Sequence, residues 1–168
     1  MIFASVGSML PFDRLVRAVD AWAGAHPSEE VFVQIGDGAF EPQHAAWARI
    51  VPHSEYRRRL EQCDLFVAHV GMGSILQALE IGKQMLLLPR LASQREVTTD
   101  HQLHTAQQFG DKPGVMIVTD ELALQAAISD LLSSPLERSG AISQYAQPEL
   151  ISNIANFLGS RAQPESNG

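Results

Sequence analysis

The sequence predicts an α/β fold, a doubly wound and mostly parallel sheet with helices on both faces. Two observations carry that expectation. Short apolar segments alternate with segments of helical apolar spacing along most of the chain, the rhythm of strands joined by crossover helices. The apolar segments are also apolar almost throughout, as in Leu65-Phe66-Val67-Ala68, which suits strands covered on both faces. A chain of 168 residues, 45% hydrophobic and 18% charged, has the size and apolar content to close one core.

Ile2 to Val6 reads as the first strand, ended by Gly7-Ser8. Pro11-Phe12-Asp13 opens a helix, because proline suits a first turn and Leu15, Val16, Val19 and Trp22 then recur on one face. Val31 to Ile35 is a second strand, closed by Gly36-Asp37-Gly38. A third, weaker strand is assigned to Arg49-Ile50-Val51, with Ser54 as the cap of a helix from Glu55 to Gln62. Leu65 to His69 is the fourth strand. After Gly71-Met72-Gly73-Ser74, a helix runs from Ile75 to Ile81 and stops at Gly82. Met85 to Leu88 is the fifth strand, halted by Pro89. A polar stretch from Ser93 to Thr99 leads to a helix from Asp100 to Phe109. Val115 to Val118 is the sixth strand, and Asp120 caps a helix from Glu121 to Leu132. Ile142 to Leu158 fits one or two helices interrupted at Pro148. Residues 1–160 are expected to form one domain and residues 161–168 a polar, disordered tail.

Nineteen acidic against twelve basic side chains give a net charge of −7, which argues against binding along a nucleic-acid backbone. Cys63 is the single cysteine. It excludes an internal disulfide framework and a Cys-rich zinc site, and it fits a reducing compartment. The longest apolar runs, such as Met85 to Leu88, fall far short of the roughly 20 residues that cross a bilayer. Met1 to Gly7 lacks the basic n-region of a signal peptide. The expectation is a soluble cytoplasmic domain, with any lipid contact supplied by another chain.

In an open parallel sheet, ligands bind outside the carboxyl ends of the strands. Gly7-Ser8, Gly36-Asp37-Gly38, His69 to Ser74 and Pro89 to Gln102 all fall there. Gly71-Met72-Gly73-Ser74 stands between a buried strand and a helix. Glycines let backbone approach an anion, and a helix start offers free N–H groups and the positive end of the dipole. A tight turn that needs glycine for steric reasons is the plainer reading of the same residues. The dinucleotide fingerprint is excluded, since Leu76 occupies the third glycine position, and no Gly-Lys-Ser/Thr phosphate loop occurs. His69 ends its strand beside this turn, as a structural residue or a catalytic one. His101 and His104, three apart on a helix, fit a metal less well than a helix start capped by Asp100, because no third ligand follows from spacing. No Gly-x-Ser-x-Gly elbow is present. Arg57-Arg58-Arg59 is a solvated face, or a contact for an acidic partner or an anionic membrane.

Taken together, three stretches resemble the C-terminal domain of glycosyltransferase family 28, and more closely the small subunit of split, two-chain UDP-sugar transferases. Ile2 to Ser8 with Pro11 to Leu15 resembles the family's opening "VTVGT…FD.L". Cys63 to Leu79 resembles "ADLVISHAGAGSILEAL", and Lys83 to Arg90 with Asp100 to Leu103 resembles "GKPLIVVPR…DHQ.E.A". The likeness runs in register from about Met1 to Leu132. It implies a Rossmann-like domain, one half of a GT-B glycosyltransferase, that binds a nucleotide-sugar donor. Residue by residue, it implies donor binding by Gly7, Ser8, Gly71, Gly73, Ser74, Gln77, Asp100, His101 and Gln102, with His69 as a catalytic contributor. Gln77 departs from the family's Glu, and its amide accepts one hydrogen bond where a carboxylate makes a charge-assisted pair with ribose hydroxyls.

The function implied is an inverting hexosyltransferase of exopolysaccharide type. Its donor would be UDP-glucuronate, UDP-glucose or UDP-N-acetylglucosamine, and its acceptor a sugar on polyprenyl diphosphate. A membrane-associated partner subunit would supply the acceptor site and the general base, leaving this chain peripheral to the membrane. The helix start at Gly73-Ser74 would stabilise the leaving diphosphate without a metal cofactor. A non-catalytic nucleotide-sugar-binding or scaffold subunit is the alternative that Gln77 motivates. An epimerase-like enzyme on the same fold is a third reading.

Overall fold

The computed structural model describes residues 1–137. Strands β1 (Ile2–Ser5), β2 (Val31–Gln34), β3 (Ala46–Ala48), β4 (Leu65–His69), β5 (Met85–Leu88) and β6 (Val115–Ile117) form one sheet in the order β3-β2-β1-β4-β5-β6. Every neighbouring pair is parallel. Helices α1 (Asp13–Ala25), α2 (His53–Gln62), α3 (Met72–Glu80), α4 (His101–Phe109) and α5 (Glu121–Ser133) follow the strands in turn, except between β2 and β3. The predicted doubly wound architecture is therefore present. The chain winds outward from β1 in one direction and from β4 in the other, so the crevice between those two strands is the topological switch point.

Strand side chains alternate between two cores. Ile2, Ala4, Leu65, Val67, Leu86 and Leu88 pack with α1 and α5 on one face. Phe3, Phe66, Ala68, Met85 and Leu87 pack with Leu60 of α2 and Ile75, Ala78 and Leu79 of α3 on the other. Both faces are covered, which is why the strands read as continuous apolar runs rather than alternating ones.

The β2–β3 connection has no helix and is held instead by two aspartates of α1. Asp20, 4% exposed, accepts the backbone N–H groups of Gln43, His44 and Ala45 at 3.0, 2.8 and 2.9 Å. Asp13 accepts those of Ala39 and Phe40. A buried carboxylate is tolerated there because three donors satisfy it. These bonds hold its pKa below the usual carboxylate range, although burial pushes the other way.

The third strand lies at Ala46–Ala48 rather than Arg49–Val51. Ala46, Trp47 and Ala48 pair with Phe32, Val33 and Gln34, and the ladder ends where Gly36 N–H donates to the Arg49 carbonyl. Ile50, 68% exposed, has already left the sheet ahead of Pro52, which has no N–H to pair. Pro52, not Ser54, precedes the first turn of α2, and its carbonyl accepts from Tyr56 N–H. Helix α3 begins three residues earlier than expected, which places Gly73 and Ser74 inside its first turn. The Asp120 cap is present, with Oδ1 accepting from Ala123 N–H at 2.8 Å. Among the described residues no helix is long and apolar enough to cross a membrane. The expected helices in Ile142 to Leu158, the end of the domain at residue 160 and the tail lie outside the described residues.

Candidate functional site

A cleft of about 480 Å³ opens at the switch point, between the loops that follow β1 and β4 and beside the end of β5. That volume lies in the usual range for small-molecule sites. Gly7, Ser8, His69, Gly71, Gly73, Ser74 and Gln77 line it together. Met9, Gln34, Ile50, Tyr56, Met72 and Arg90 complete much of its wall. Among the described residues no Asp or Glu lines it, although the chain carries seven more acidic than basic groups.

His69 ends β4, opposite Leu88 in the parallel register. Its imidazole sits between two glycines. A Cβ on Gly7, whose φ is +78°, would come within 2.6 Å of His69 Cε1, and one on Gly71 would come within 2.1 Å of Nε2. These glycines therefore make room for the ring, a steric role that Gly73 does not share. A Cβ on Gly73 meets nothing within 4 Å. Burial, reinforced by the positive charge of Arg90 and partly offset by the Ser5 backbone, lowers the His69 pKa to about 4. The ring is neutral at pH 7, and Nδ1 is buried with no hydrogen-bond partner among the described residues.

Gly71 is the extended residue before α3, and no side chain caps the helix. The Gly71 N–H is taken by the His69 carbonyl at 2.8 Å, so the first-turn N–H groups of Met72, Gly73 and Ser74 are the ones left for a ligand. They carry the positive end of the helix dipole. The Ser74 side chain is buried beneath this turn, and the Tyr56 hydroxyl lies within reach of both Ser74 and Ser5. Burial raises the Tyr56 pKa, so the phenol stays protonated. Ser5 Oγ accepts Gly7 N–H at 3.1 Å. These hydroxyls gather between the loop after β1 and the start of α3. Gln77 Oε1, one turn along the helix, is buried without a partner among the described residues.

Asp100, His101 and Gln102 do not line the cleft. Asp100 precedes α4, but its Oδ1 accepts Ala92 N–H at 2.8 Å instead of capping the helix. His101 Nδ1 lies 3.0 Å from Thr99 Oγ1 at the surface. Gln102 is buried, and its Oε1 accepts the backbone N–H of Arg90 at 3.0 Å. Glu96 fixes the intervening loop: it pairs with Arg14 at 2.8 Å and accepts Leu91 N–H at 2.9 Å. Arg90, a further residue of the cleft with no expected role from sequence, stands at the carboxyl end of β5 and is 3% exposed. A polar residue at that edge of a parallel sheet is itself a signal. Tyr56 carried no comparable signal, because its α2 position reads as ordinary core.

A larger cavity of about 690 Å³ opens at the opposite, amino end of the sheet. Glu29, Glu61 and Asp64 line it together with the C-terminal ends of α2 and α3, where helix dipoles are negative. Its one lysine, Lys83, already donates to the carbonyls of Glu61 and Cys63. The Cys63 thiol beside it is pushed up to about 11 by burial and is inert. The lining of the first cleft suits an anion better than the lining of this cavity does. Arg57, Arg58 and Arg59 are each paired with Glu55, Glu61 or Glu80, which accounts for that basic run as an internally neutralised face. Among the described residues no three His, Cys, Asp or Glu side chains gather as a metal site.

The sequence model of the glycosyltransferase family 28 C-terminal domain matches residues 1–154. No curated protein matches the chain. Among solved structures, the glycotransferase of kitacinnamycin is similar at 23% identity and a TM-score of 0.58, over 80% of this chain and 35% of that one. The solution structure of ALG13 is similar at 15% identity and a TM-score of 0.58, over 91% and 93% of the two chains. CalG4, the calicheamicin glycosyltransferase, is similar at 16% identity and a TM-score of 0.53, over 96% and 44%. The chain thus spans between a third and a half of the two glycosyltransferases and nearly all of ALG13.

Proposed function

We propose, since the chain belongs to the glycosyltransferase family 28 C-terminal domain family, that its carboxyl-edge cleft holds the diphosphate of a UDP-sugar donor for an inverting glycosyl transfer. The observation that carries this reading is the uncapped start of α3 facing a cleft that, among the described residues, has no carboxylate in its lining. Free N–H groups at a helix start suit a diphosphate, and they stabilise the charge that develops as it leaves. In the transfer, the acceptor hydroxyl oxygen bonds to the anomeric carbon while the bond from that carbon to the diphosphate oxygen breaks. The hydroxyl proton goes to a base, and the electron pair of the broken bond stays on the nucleoside diphosphate.

His69, with a pKa of about 4, is too weak a base for that proton at neutral pH and serves as a neutral hydrogen-bonding group at the donor. The base and the acceptor site come from a facing half, supplied by a membrane-associated partner subunit. Exposed Met9, Ile50 and Met72 line the cleft, with exposed Leu10 and Leu76 on the loop after β1 and on α3. They support such a contact, since clustered exposed apolar side chains mark interaction surfaces. The acceptor is a sugar on polyprenyl diphosphate, as in exopolysaccharide assembly, and the transferred group a hexosyl unit. No metal cofactor is required, because the free N–H groups and dipole of the helix start meet the diphosphate charge.

Gln77 favours a second reading, a non-catalytic nucleotide-sugar-binding subunit. One experiment separates the two. The chain co-expressed with its membrane-associated partner is assayed for transfer from UDP-sugar to a lipid-linked acceptor, with Ser74→Ala and Gln102→Ala alongside. Transfer by the complex that both changes impair supports catalysis. UDP binding without transfer supports the second reading, and full transfer with both positions changed contradicts the site.

A further inference from the structure

Two guanidinium groups are buried among the described residues of this end of the molecule, and they are satisfied differently. Arg14 is closed by Glu96 at 2.8 Å, with the two side chains 8% and 11% exposed. Arg90 makes no ion pair with any carboxylate of the described residues. Its Nη2 donates to the Val6 carbonyl at 2.8 Å and to that of Leu10, while Nε is buried with no partner. Glu96 acts on Arg90 only through space, because its oxygens are committed to Arg14 and to Leu91 N–H.

The guanidinium also stands over the Phe12 ring, 5.0 Å from its centroid. Carbonyl dipoles and an aromatic face orient and partly stabilise it but carry no counter-charge. The charge persists at neutral pH, since burial lowers the Arg90 pKa only to about 10. Arg90 lines the same cleft as the start of α3. A fixed cation and a positive helix end thus face one space whose lining, among the described residues, holds no carboxylate, an arrangement that suits an anionic ligand.

We propose that Arg90 is the fixed counter-charge of this site, with its guanidinium turned to the diphosphate of the bound ligand. The assignment rests on the diphosphate reading of the cleft. Its backbone N–H on Gln102 Oε1 and its hold on the Val6 and Leu10 carbonyls keep the charge in place before any ligand arrives. Gln102 accordingly acts through Arg90, as a positioning residue.

Binding of UDP, inorganic pyrophosphate and uridine to the full chain tests this, for the wild type, Arg90→Gln and Arg90→Lys, with thermal midpoints recorded. The expected result is a loss of roughly ten- to a hundredfold for UDP and pyrophosphate in Arg90→Gln, the weight of one charge-assisted hydrogen bond. Uridine affinity should not change, and Arg90→Lys should fall between. Equal loss of UDP and uridine would make Arg90 a scaffold residue only, and unchanged pyrophosphate binding would remove it from the site. Should Arg90→Gln not fold, the wild-type Arg90 Nε–H resonance decides. It must shift on saturation with pyrophosphate and not with uridine, and an unmoved resonance overturns the proposal. A wild type that binds neither UDP nor pyrophosphate in preference to uridine would overturn the diphosphate reading itself, whatever the variants do.

Discussion

The imidazole of His69 has space only because Gly7 and Gly71 lack side chains, whereas Gly73 stands in the open. Alanine substitutions should therefore divide cleanly. Gly71→Ala forces the ring or the turn to move and should cost about 1–3 kcal/mol in chemical denaturation. Gly73→Ala removes backbone freedom inside a helix and should raise stability by about 0.4–1 kcal/mol, yet it sets a methyl group on the face where UDP is expected and should weaken UDP binding. His69 also predicts a pH effect. Its folded pKa of about 4 lies below the ordinary value near 6.5. The unfolded chain therefore takes up a proton first as pH falls, and stability is lost from about pH 6.5 downward. The loss attributable to this group is about 3 kcal/mol by pH 4. Denaturant midpoints measured from pH 7.5 to 4 should fall less steeply for His69→Asn than for the wild type. The glycine turn and the histidine were legible in the sequence, since glycine and a strand-ending polar residue mark themselves. Which glycine serves the ring and which serves a ligand was not legible, because that depends on where the imidazole lies in space.

At the level of elements, the unusual member is β3, reached from β2 without a helix. Three N–H groups of that connection converge on Asp20 of α1, one of them on buried Ala45. Asp20→Ala should cost about 2–4 kcal/mol, because it strands buried donors, and should detach β3 first. Hydrogen exchange at Trp47 and Ala48 would then rise well above that at Val67. Asp20 falls on the apolar side of an otherwise regular α1 pattern, and the sequence offered no partner for it. From sequence the strand reads as lying toward Ile50-Val51, because β-branched residues there outweigh Ala46-Trp47-Ala48. Backbone pairing decided the matter, and Ile50 was left at the rim of the cleft. Long apolar strands such as β4 and β5 were legible because burial on both faces leaves no room for polar side chains.

For the molecule as a whole, the strand order β3-β2-β1-β4-β5-β6 gathers the loops after β1, β4 and β5 at one edge. It separates that edge from the acidic cavity at the other. The order was not readable from periodicity, which gives strands and helices but not their neighbours. If the proposed facing subunit covers the exposed apolar side chains beside the cleft, Leu76→Glu, at a position 40% exposed, should leave UDP affinity unchanged and weaken co-purification with that subunit at least tenfold. The central claim, that the carboxyl-edge cleft receives the donor, is tested most directly by amide chemical-shift mapping of the full chain on titration with UDP. The account predicts that the largest shifts fall on Gly7, Ser8, Gly71, Gly73 and Ser74. Shifts clustered around Cys63, Asp64 and Lys83 at the opposite end, or none at saturating UDP, would contradict it.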